Sequence, residues 1–177
     1  MDKNKLRILA IVFLSLAVLI TVFFMFKDKI NINPGSSSKA GSVEMIEANA
    51  VTDEITKDIV VFQKFKNTNN SITKVAVVFN RLYDLDNVNI AIELQDGGKT
   101  ILKKTISVED IQDQHRTYLE ADSPITGLAG KELTLRVYPV TNSDTGLALM
   151  YNNSTGLEFK FGTKTVKGTI CFSVTSD

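Results

Sequence analysis

The chain has 177 residues, enough for one domain with a hydrophobic core. Its formal net charge is zero, but residues 40–177 hold fourteen basic and eighteen acidic side chains, a net charge of −4. This surplus of carboxylates argues against nucleic acid as a partner, because binding to phosphates depends on cationic side chains. The single cysteine, Cys171, excludes an intrachain disulfide and a cysteine-based zinc site.

An unbroken apolar run extends from Ile8 to Phe26, with Ser15 and Thr21 as its only polar members. A helix over this run spans about 28 Å, which matches the hydrocarbon core of a bilayer. Basic side chains flank both ends and are slightly more numerous before the run, which favours an N-terminus inside the cell. We predict a cytoplasmic stub at 1–7 and a single-pass transmembrane helix at 8–26 that anchors the chain in the cell membrane.

A cleaved signal peptide is the main alternative to this anchor. Signal peptides have apolar cores of about 7–15 residues followed closely by small residues at the cleavage site. Here the run is longer and ends in Phe-Phe-Met-Phe-Lys, while the small residues Ala48 and Ala50 lie far downstream. A buried helix of the core is a weaker alternative, since no polar face interrupts the run.

Residues 27–42 follow the apolar run and contain a segment rich in Gly, Ser, Asn and Pro. Such a composition keeps the backbone solvated and buries too little apolar surface to order the chain. We therefore predict a flexible linker at 27–42 and an extracytoplasmic domain at 43–177. Residues 43–57 give no clear pattern and supply either a first strand or a lead into the next one.

Apolar residues alternate with polar ones over most of the predicted domain, a period that indicates strands with one buried face. Five segments follow this pattern, with apolar positions at Val75, Val77 and Phe79; Val88, Ile90, Ile92 and Leu94; Leu133, Leu135 and Val137; Leu157, Phe159 and Phe161; and Ile170, Phe172 and Val174.

Turn-forming residues separate these segments, at 67–71, 96–98, 142–146, 152–156 and 162–163. Only Val108 to Gln112, preceded by Ser107 as a predicted N-cap, indicates a helical turn. Without crossover helices a parallel sheet cannot form. We therefore predict an all-β domain, an antiparallel β-sandwich or jelly roll.

Six short segments occur in an order that is similar to a known family. They are Val61 to Phe65, Ile72 to Asn80, Val88 to Leu94 with Asp96-Gly97-Gly98, Thr105 to Asp113, Gly130 to Leu135 and Lys167 to Phe172. This series resembles the carbohydrate-binding-module-like β-sandwich domains of bacterial membrane proteins of cell-surface polysaccharide synthesis. The resemblance covers roughly residues 58–177 and implies a galactose-binding-like jelly roll that binds a glycan.

The chain departs from that family in having no tryptophan, the residue on which sugar rings are usually stacked together with tyrosine. Four tyrosines are left for this role, Tyr83, Tyr118, Tyr138 and Tyr151.

The alternation places several polar and aromatic side chains away from the core. We expect them to form one face able to hold a sugar, although an ordinary wet sheet surface is the simpler interpretation for each residue. The candidate ligand-binding residues are Asn89, Glu93, Arg116, Tyr118, Arg136 and Tyr138.

No pattern of residues predicts catalysis, a metal or a cofactor. His115 is the single histidine, and Glu109, Asp110 and Asp113 near it are read more simply as a solvated acidic turn than as a calcium site. No phosphate loop, nucleophile elbow or zinc helix is present. Cys171 is expected to fill space rather than react.

Two functions fit these predictions. The first is a membrane-anchored module that binds a cell-surface polysaccharide, and the second is an accessory subunit whose sandwich docks onto an envelope protein. A third, a pilin-like filament subunit, is disfavoured because no acidic residue interrupts the apolar run.

Overall fold

The structure is a computed structural model, and it describes residues 45–176. The predicted stub at 1–7, the transmembrane helix at 8–26 and the linker at 27–42 lie outside the described residues. Among residues 45–176, no helix has the length and apolar character needed to span a bilayer.

The described chain is built from β-strands and one short 3₁₀ helix at Val108–Asp110. The strands are β1 (Ala50–Val51), β2 (Val61–Lys66), β3 (Ser71–Arg81), β4 (Asn89–Asp96), β5 (Lys99–Ser107), β6 (Arg116–Thr126), β7 (Glu132–Pro139), β8 (Leu147–Asn152), β9 (Glu158–Phe161), β10 (Lys164–Lys167), β11 (Thr169–Ile170) and β12 (Phe172–Thr175).

These strands form two six-stranded sheets, in which neighbouring strands pair antiparallel. In sheet 1, β3 pairs with β6 along one edge and with β12 and β8 along the other, while β8 also pairs with β1 and β11. In sheet 2 the order is β10-β9-β2-β7-β4-β5. The two sheets enclose one apolar core, so the predicted all-β, antiparallel, β-sandwich-like architecture is confirmed.

The predicted alternation is confirmed in sheet 2, where the apolar positions of β4 and β7 are buried in the core. The prediction that Leu157 faces the core with Phe159 is wrong. Leu157 precedes β9 and is 55% exposed. Cys171 is a second correction. The alternation places it outward, but it is 1% exposed and shares the walls of a recess with Met45 and Ile46.

Cys171 lies where β3 and β8 separate and the chain of β11 and β12 enters between them. Its N–H donates a hydrogen bond to the Met150 carbonyl over 2.8 Å, and its carbonyl accepts one from the Val78 N–H over 3.1 Å. The residue thus connects both strands through its backbone, and burial raises the pKa of its thiol to about 11. Such a thiol stays protonated near neutral pH, in agreement with the predicted space-filling role.

Buried polar side chains connect distant segments of the domain through hydrogen bonds. Gln63 on β2 accepts a hydrogen bond from the Ile170 N–H over 3.2 Å, which joins sheet 2 to sheet 1. Asn67 donates to the Leu128 carbonyl over 3.0 Å, and Asn69 donates to the Val174 carbonyl over 3.2 Å. All three side chains are buried, so each hydrogen bond satisfies a group that water does not reach.

The predicted helical turn is confirmed as the short 3₁₀ helix, although Ser107 makes no capping hydrogen bond through its side chain. The unclear segment 43–57 contributes β1, a strand of two residues. Sequence patterns did not reveal β6, β8 and β10. In β6 exposure alternates, but the less exposed positions Thr117, Leu119 and Ala121 include only one large apolar residue. In β8 the first three residues are all buried, so neither strand shows an alternation of apolar and polar residues.

We predict that Gly168→Ala destabilises the domain more than Gly98→Ala. Both glycines have positive φ, which alanine rarely adopts, and a Cβ on Gly168 would in addition lie 2.6 Å from the Asn152 carbonyl oxygen. A Cβ on Gly98 meets nothing within 4 Å. We expect a loss of about 2–4 kcal/mol for Gly168→Ala and about 1 kcal/mol for Gly98→Ala.

Denaturant unfolding of the full-length chain, followed by circular dichroism, measures both free energies. Equal losses in the two variants would contradict the close packing at Gly168.

Candidate functional site

Three of the predicted site residues, Glu93, Arg136 and Tyr138, meet on the outer surface of sheet 2. They come together because β4 and β7 are paired, with Glu93 directly opposite Arg136. The Glu93 carboxylate accepts hydrogen bonds from Tyr138 Oη over 3.0 Å and from Arg136 Nη1 over 3.3 Å. Gln95 Nε2 donates to it over 2.8 Å, and the Thr100 hydroxyl donates as well.

These long side chains cover the carboxylate, so that Glu93 is only 3% exposed although it points away from the core. Burial raises the pKa of Glu93. The hydrogen bonds from Thr100, Gln95 and Tyr138, together with the charge of Arg136, outweigh that effect and leave the pKa below its usual value of 4.5. Glu93 is therefore an anion at neutral pH and holds its donors in place.

Arg136 is fixed further by two aromatic rings. Its Cζ atom lies 5.2 Å from the centre of the Phe62 ring and 5.1 Å from that of Tyr138. Contacts of this kind are attractive because a cation faces the electron-rich side of a ring. The side chains of Arg136 and Tyr138 are thus held in fixed positions by these contacts, and the Arg136 side chain stays 25% exposed.

Asn89 lies at the start of β4, on the same side of the strand as Glu93. Its backbone is bound to the segment after β7, because its N–H donates to Thr141 Oγ1 over 3.3 Å and its carbonyl accepts from the Val140 N–H over 2.9 Å. No hydrogen bond of the Asn89 side chain with the described residues is found.

The remaining two predicted residues, Arg116 and Tyr118, lie on β6 in sheet 1. The structure therefore separates the six candidates between two sheets, and the expected single face does not form. The reason is that β6 pairs with β3 in sheet 1, whereas β4 and β7 pair with each other in sheet 2.

Arg116 and Tyr118 line a groove of about 410 Å³ between β5, the edge of sheet 2, and β6, the edge of sheet 1. We call it the edge groove. Its other lining residues are Lys104, Thr105, Ile106, Ser107, Asp110, Gln112, His115 and Thr117.

The edge groove offers groups that are available to a ligand. Tyr118 is 40% exposed, and Lys74 Nζ lies 4.9 Å from the centre of its ring. The side chain of Arg116, which also lines the groove, has no hydrogen-bond or ion-pair partner among residues 45–176. Lys104 Nζ crosses the groove and donates to the Tyr118 carbonyl over 3.2 Å, which connects the two edges. His115 is also fixed, since its Nδ1 lies 2.7 Å from the Asp113 carbonyl. The groove thus combines an exposed ring, two cations, hydroxyls and one carboxylate.

Two of the acidic residues near His115 accept hydrogen bonds from backbone N–H groups of the domain. Asp113 Oδ1 accepts a hydrogen bond from the Arg81 N–H over 2.8 Å, and Glu109 Oε1 accepts one from the Asn87 N–H over 3.0 Å. Within the described part of the chain, no group of three or more potential ligands is placed to hold a metal ion.

A recess of about 450 Å³ with mainly apolar walls was not anticipated from the sequence. Phe65, Phe172 and the exposed Leu157 contribute to it, together with Ile46. The sequence position of Leu157 could have indicated this recess, because an apolar residue directly after the turn at 152–156 can lie outside the following strand.

Comparison with known proteins adds no assignment. No family model matches the chain, and no curated protein sequence matches it. The geometry of the described residues therefore supports the functional argument without help from relatives.

We predict that Glu93→Gln destabilises the domain by about 2 kcal/mol at neutral pH, because a charged acceptor of four donors is lost. The folded-state pKa of Glu93 is depressed, so its contribution is complete above the unfolded pKa near 4.5 and is lost as pH falls through the folded pKa. The difference between wild type and variant should therefore shrink in acid.

The control is Glu132→Gln, which removes an exposed ion pair with Lys64. Exposed pairs contribute about 0–1 kcal/mol, so this variant should stay close to wild type at each pH. Unfolding free energies measured from neutral to acidic pH test both; a Glu93→Gln loss that does not change with pH would contradict a charged Glu93.

Proposed function

We propose that the protein is a membrane-anchored, extracytoplasmic glycan-binding module that acts at the cell surface or in polysaccharide assembly. In this proposal the β-sandwich-like domain is a galactose-binding-like jelly roll, and the edge groove is its binding site. The observation that carries the proposal is that the open edge groove holds both a Tyr118 ring that is 40% exposed and an Arg116 side chain that has no partner within the described part of the chain.

The chemistry of the edge groove suits a sugar. A pyranose presents an apolar C–H face, which packs on a flat ring such as that of Tyr118, and hydroxyls at its rim, which need hydrogen-bonding partners. Thr105, Ser107 and Arg116 supply such partners along the groove. Binding would therefore combine one stacking contact with several polar contacts.

The groove supports binding in preference to catalysis. Most glycosidases use a pair of carboxylates across the scissile bond. Of the residues that line the edge groove, Asp110 alone carries a carboxylate. We therefore propose that the module holds its ligand without cleaving it.

The predicted anchor and linker agree with this role. A helix at 8–26 would fix the chain in the bilayer, and a flexible segment at 27–42 would let the domain reorient toward a polymer near the membrane. Such a tether raises the local concentration of the domain at the cell surface.

The apolar recess favours a second candidate function, that of an accessory subunit in a cell-envelope complex. Leu157 is 55% exposed beside the partly buried Phe65, and an exposed apolar recess is a typical feature of protein contacts. Crosslinking in intact cells that recovers one defined protein through this recess would favour the second function over the first.

We predict that Tyr118→Ala weakens binding to envelope oligosaccharides about tenfold, since one aromatic contact contributes roughly 1.4 kcal/mol. Tyr118→Phe is the matched control and should retain most of the affinity, because the ring is kept and only the hydroxyl is lost. Titration of the full-length chain with cell-wall and capsular fragments measures both. Absence of binding to any fragment at millimolar concentration would refute the proposed function.

We predict that the chain stays in the membrane fraction after alkaline carbonate extraction and that the double variant Leu14→Arg, Val18→Arg is released. Each arginine at the centre of a transmembrane helix costs about 2.5–3.5 kcal/mol of insertion energy. Added protease should cleave the domain on intact cells whose outer layers are permeable. Protection of the domain would contradict the extracytoplasmic orientation.

A further inference from the structure

The outer surface of sheet 2 is positively charged, although the domain as a whole is not. Residues 45–176 contain fourteen basic and sixteen acidic side chains. We call the outward surface of sheet 2 the basic face. Its six cationic residues are Lys64, Lys66, Lys103, Arg136, Lys160 and Lys167, and its acidic residues are Glu93, Glu132 and Glu158.

One of those three carboxylates is hidden. Glu93 is covered by its donors, while all five lysines of the basic face are exposed. The basic face thus presents an excess of positive charge, and the rest of the described domain carries an excess of negative charge. A long-range attraction between the whole domain and a polyanion is weak, but a polyanion lying on this face meets mainly cations.

Three of the cations form a regular row across the strands. The pairing places Lys160 opposite Phe62, Phe62 opposite Arg136, Arg136 opposite Glu93, and Glu93 opposite Lys103. Lys160, Arg136 and Lys103 therefore stand on alternate strands, roughly 10 Å apart, because adjacent strands are separated by about 4.8 Å. A linear polymer with an anionic group in each repeat matches such a row better than a compact ligand does.

The basic face is continuous with the edge groove. Both are bounded by β5, where Lys103 belongs to the basic face and Lys104 to the groove. Thr105 also lies on both, since it is paired with Ala91 on the outward side of sheet 2 and lines the groove. A polymer held in the groove can therefore extend over the face without crossing an intervening element.

We infer that the ligand is a linear anionic polysaccharide, with carboxylate or phosphate groups that meet the row Lys160, Arg136 and Lys103. This inference rests on the proposed function for the nature of the polymer, and it names the class of glycan. Arg136, which is oriented by Glu93 and flanked by the Phe62 and Tyr138 rings, supplies the fixed cation in the middle of the row. The lysines at either side are exposed, although Lys103 Nζ lies 5.5 Å from the centre of the Tyr138 ring and Lys160 Nζ donates to the Thr165 hydroxyl.

A linear glycan fits the observations better than a bilayer surface does. A bilayer would contact the flat face alone and would leave the edge groove unused, whereas a polymer occupies both. The described residues of the basic face also lack a protruding apolar side chain, because Phe62 is partly buried beneath Arg136. A peripheral membrane surface usually inserts such groups.

The test uses the full-length chain in neutral-detergent micelles and follows fluorescence polarisation of labelled polymers at increasing salt. The probes are polygalacturonate, poly(glycerol phosphate) and neutral dextran, which separate carboxylate, phosphate and uncharged ligands. We expect at least one anionic polymer to bind more than tenfold tighter than dextran, with an affinity that falls as salt rises.

The face variant is Lys103→Gln, Lys160→Gln, Lys167→Gln, and it leaves Arg136 and Glu93 unchanged. Its matched control is Lys57→Gln, Lys99→Gln, Lys164→Gln, which removes the same charge from residues outside the basic face. We expect the face variant to lose about tenfold or more in affinity for the anionic polymer and to show a shallower salt dependence. The control should bind within about twofold of wild type.

Three results would overturn the inference. They are equal affinity for dextran and both anionic polymers, equal losses in the face variant and the control, and equally tight binding of single-stranded DNA or of nanodiscs rich in phosphatidylglycerol. None of these results tests the proposed function, because that function is tested separately by the titration of the Tyr118→Ala variant. If neutral fragments bind and depend on Tyr118 while the face variant has no effect, the function stands and the anionic ligand is refuted.

Discussion

A buried carboxylate that must remain charged organises the outer side of sheet 2. Glu93 lies on the solvent side of β4 and yet is 3% exposed, so its negative charge has to be balanced by donors from neighbouring strands. Four side chains donate hydrogen bonds to this carboxylate, and these bonds restrict their conformations. They belong to Arg136, Tyr138, Gln95 and Thr100. The constraint fixes Arg136 at the centre of the basic face and binds the Tyr138 hydroxyl to the Glu93 carboxylate.

This constraint also separates the two candidate surfaces by their character. The cluster around Glu93 holds Arg136 and Tyr138 in fixed positions. The edge groove instead keeps a Tyr118 ring that is 40% exposed beside Lys74, and an Arg116 side chain without a partner among residues 45–176. A ligand would therefore find its stacking platform in the groove and a preformed row of positive charge on the face. Since β5 borders both surfaces, the two can act on one extended ligand, and this is the physical basis of the proposed binding to an anionic glycan.

How far the sequence predicted the site depended on whether a strand was recognised. For β4 and β7 the alternation was regular, so Glu93, Arg136 and Tyr138 were correctly placed on one outward surface. For β6, where Leu119 is the one buried residue, no pattern was visible, and Arg116 and Tyr118 were grouped with the wrong sheet. Leu157 was placed in the core because it precedes Phe159 at the period of a strand, but β9 begins only at Glu158.

The sequence by itself determined the all-β class, the antiparallel pairing and the main turns, because alternation and glycine positions are local properties that the chain carries everywhere. It also supplied the predicted anchor at 8–26, through an apolar run long enough for a bilayer. Only the tertiary structure decided that Cys171 is buried between β3 and β8, that β5 and β6 border a groove, and that six cations share one face. These features arise from pairings between residues distant in sequence, and a single strand holds no information about which strand lies beside it.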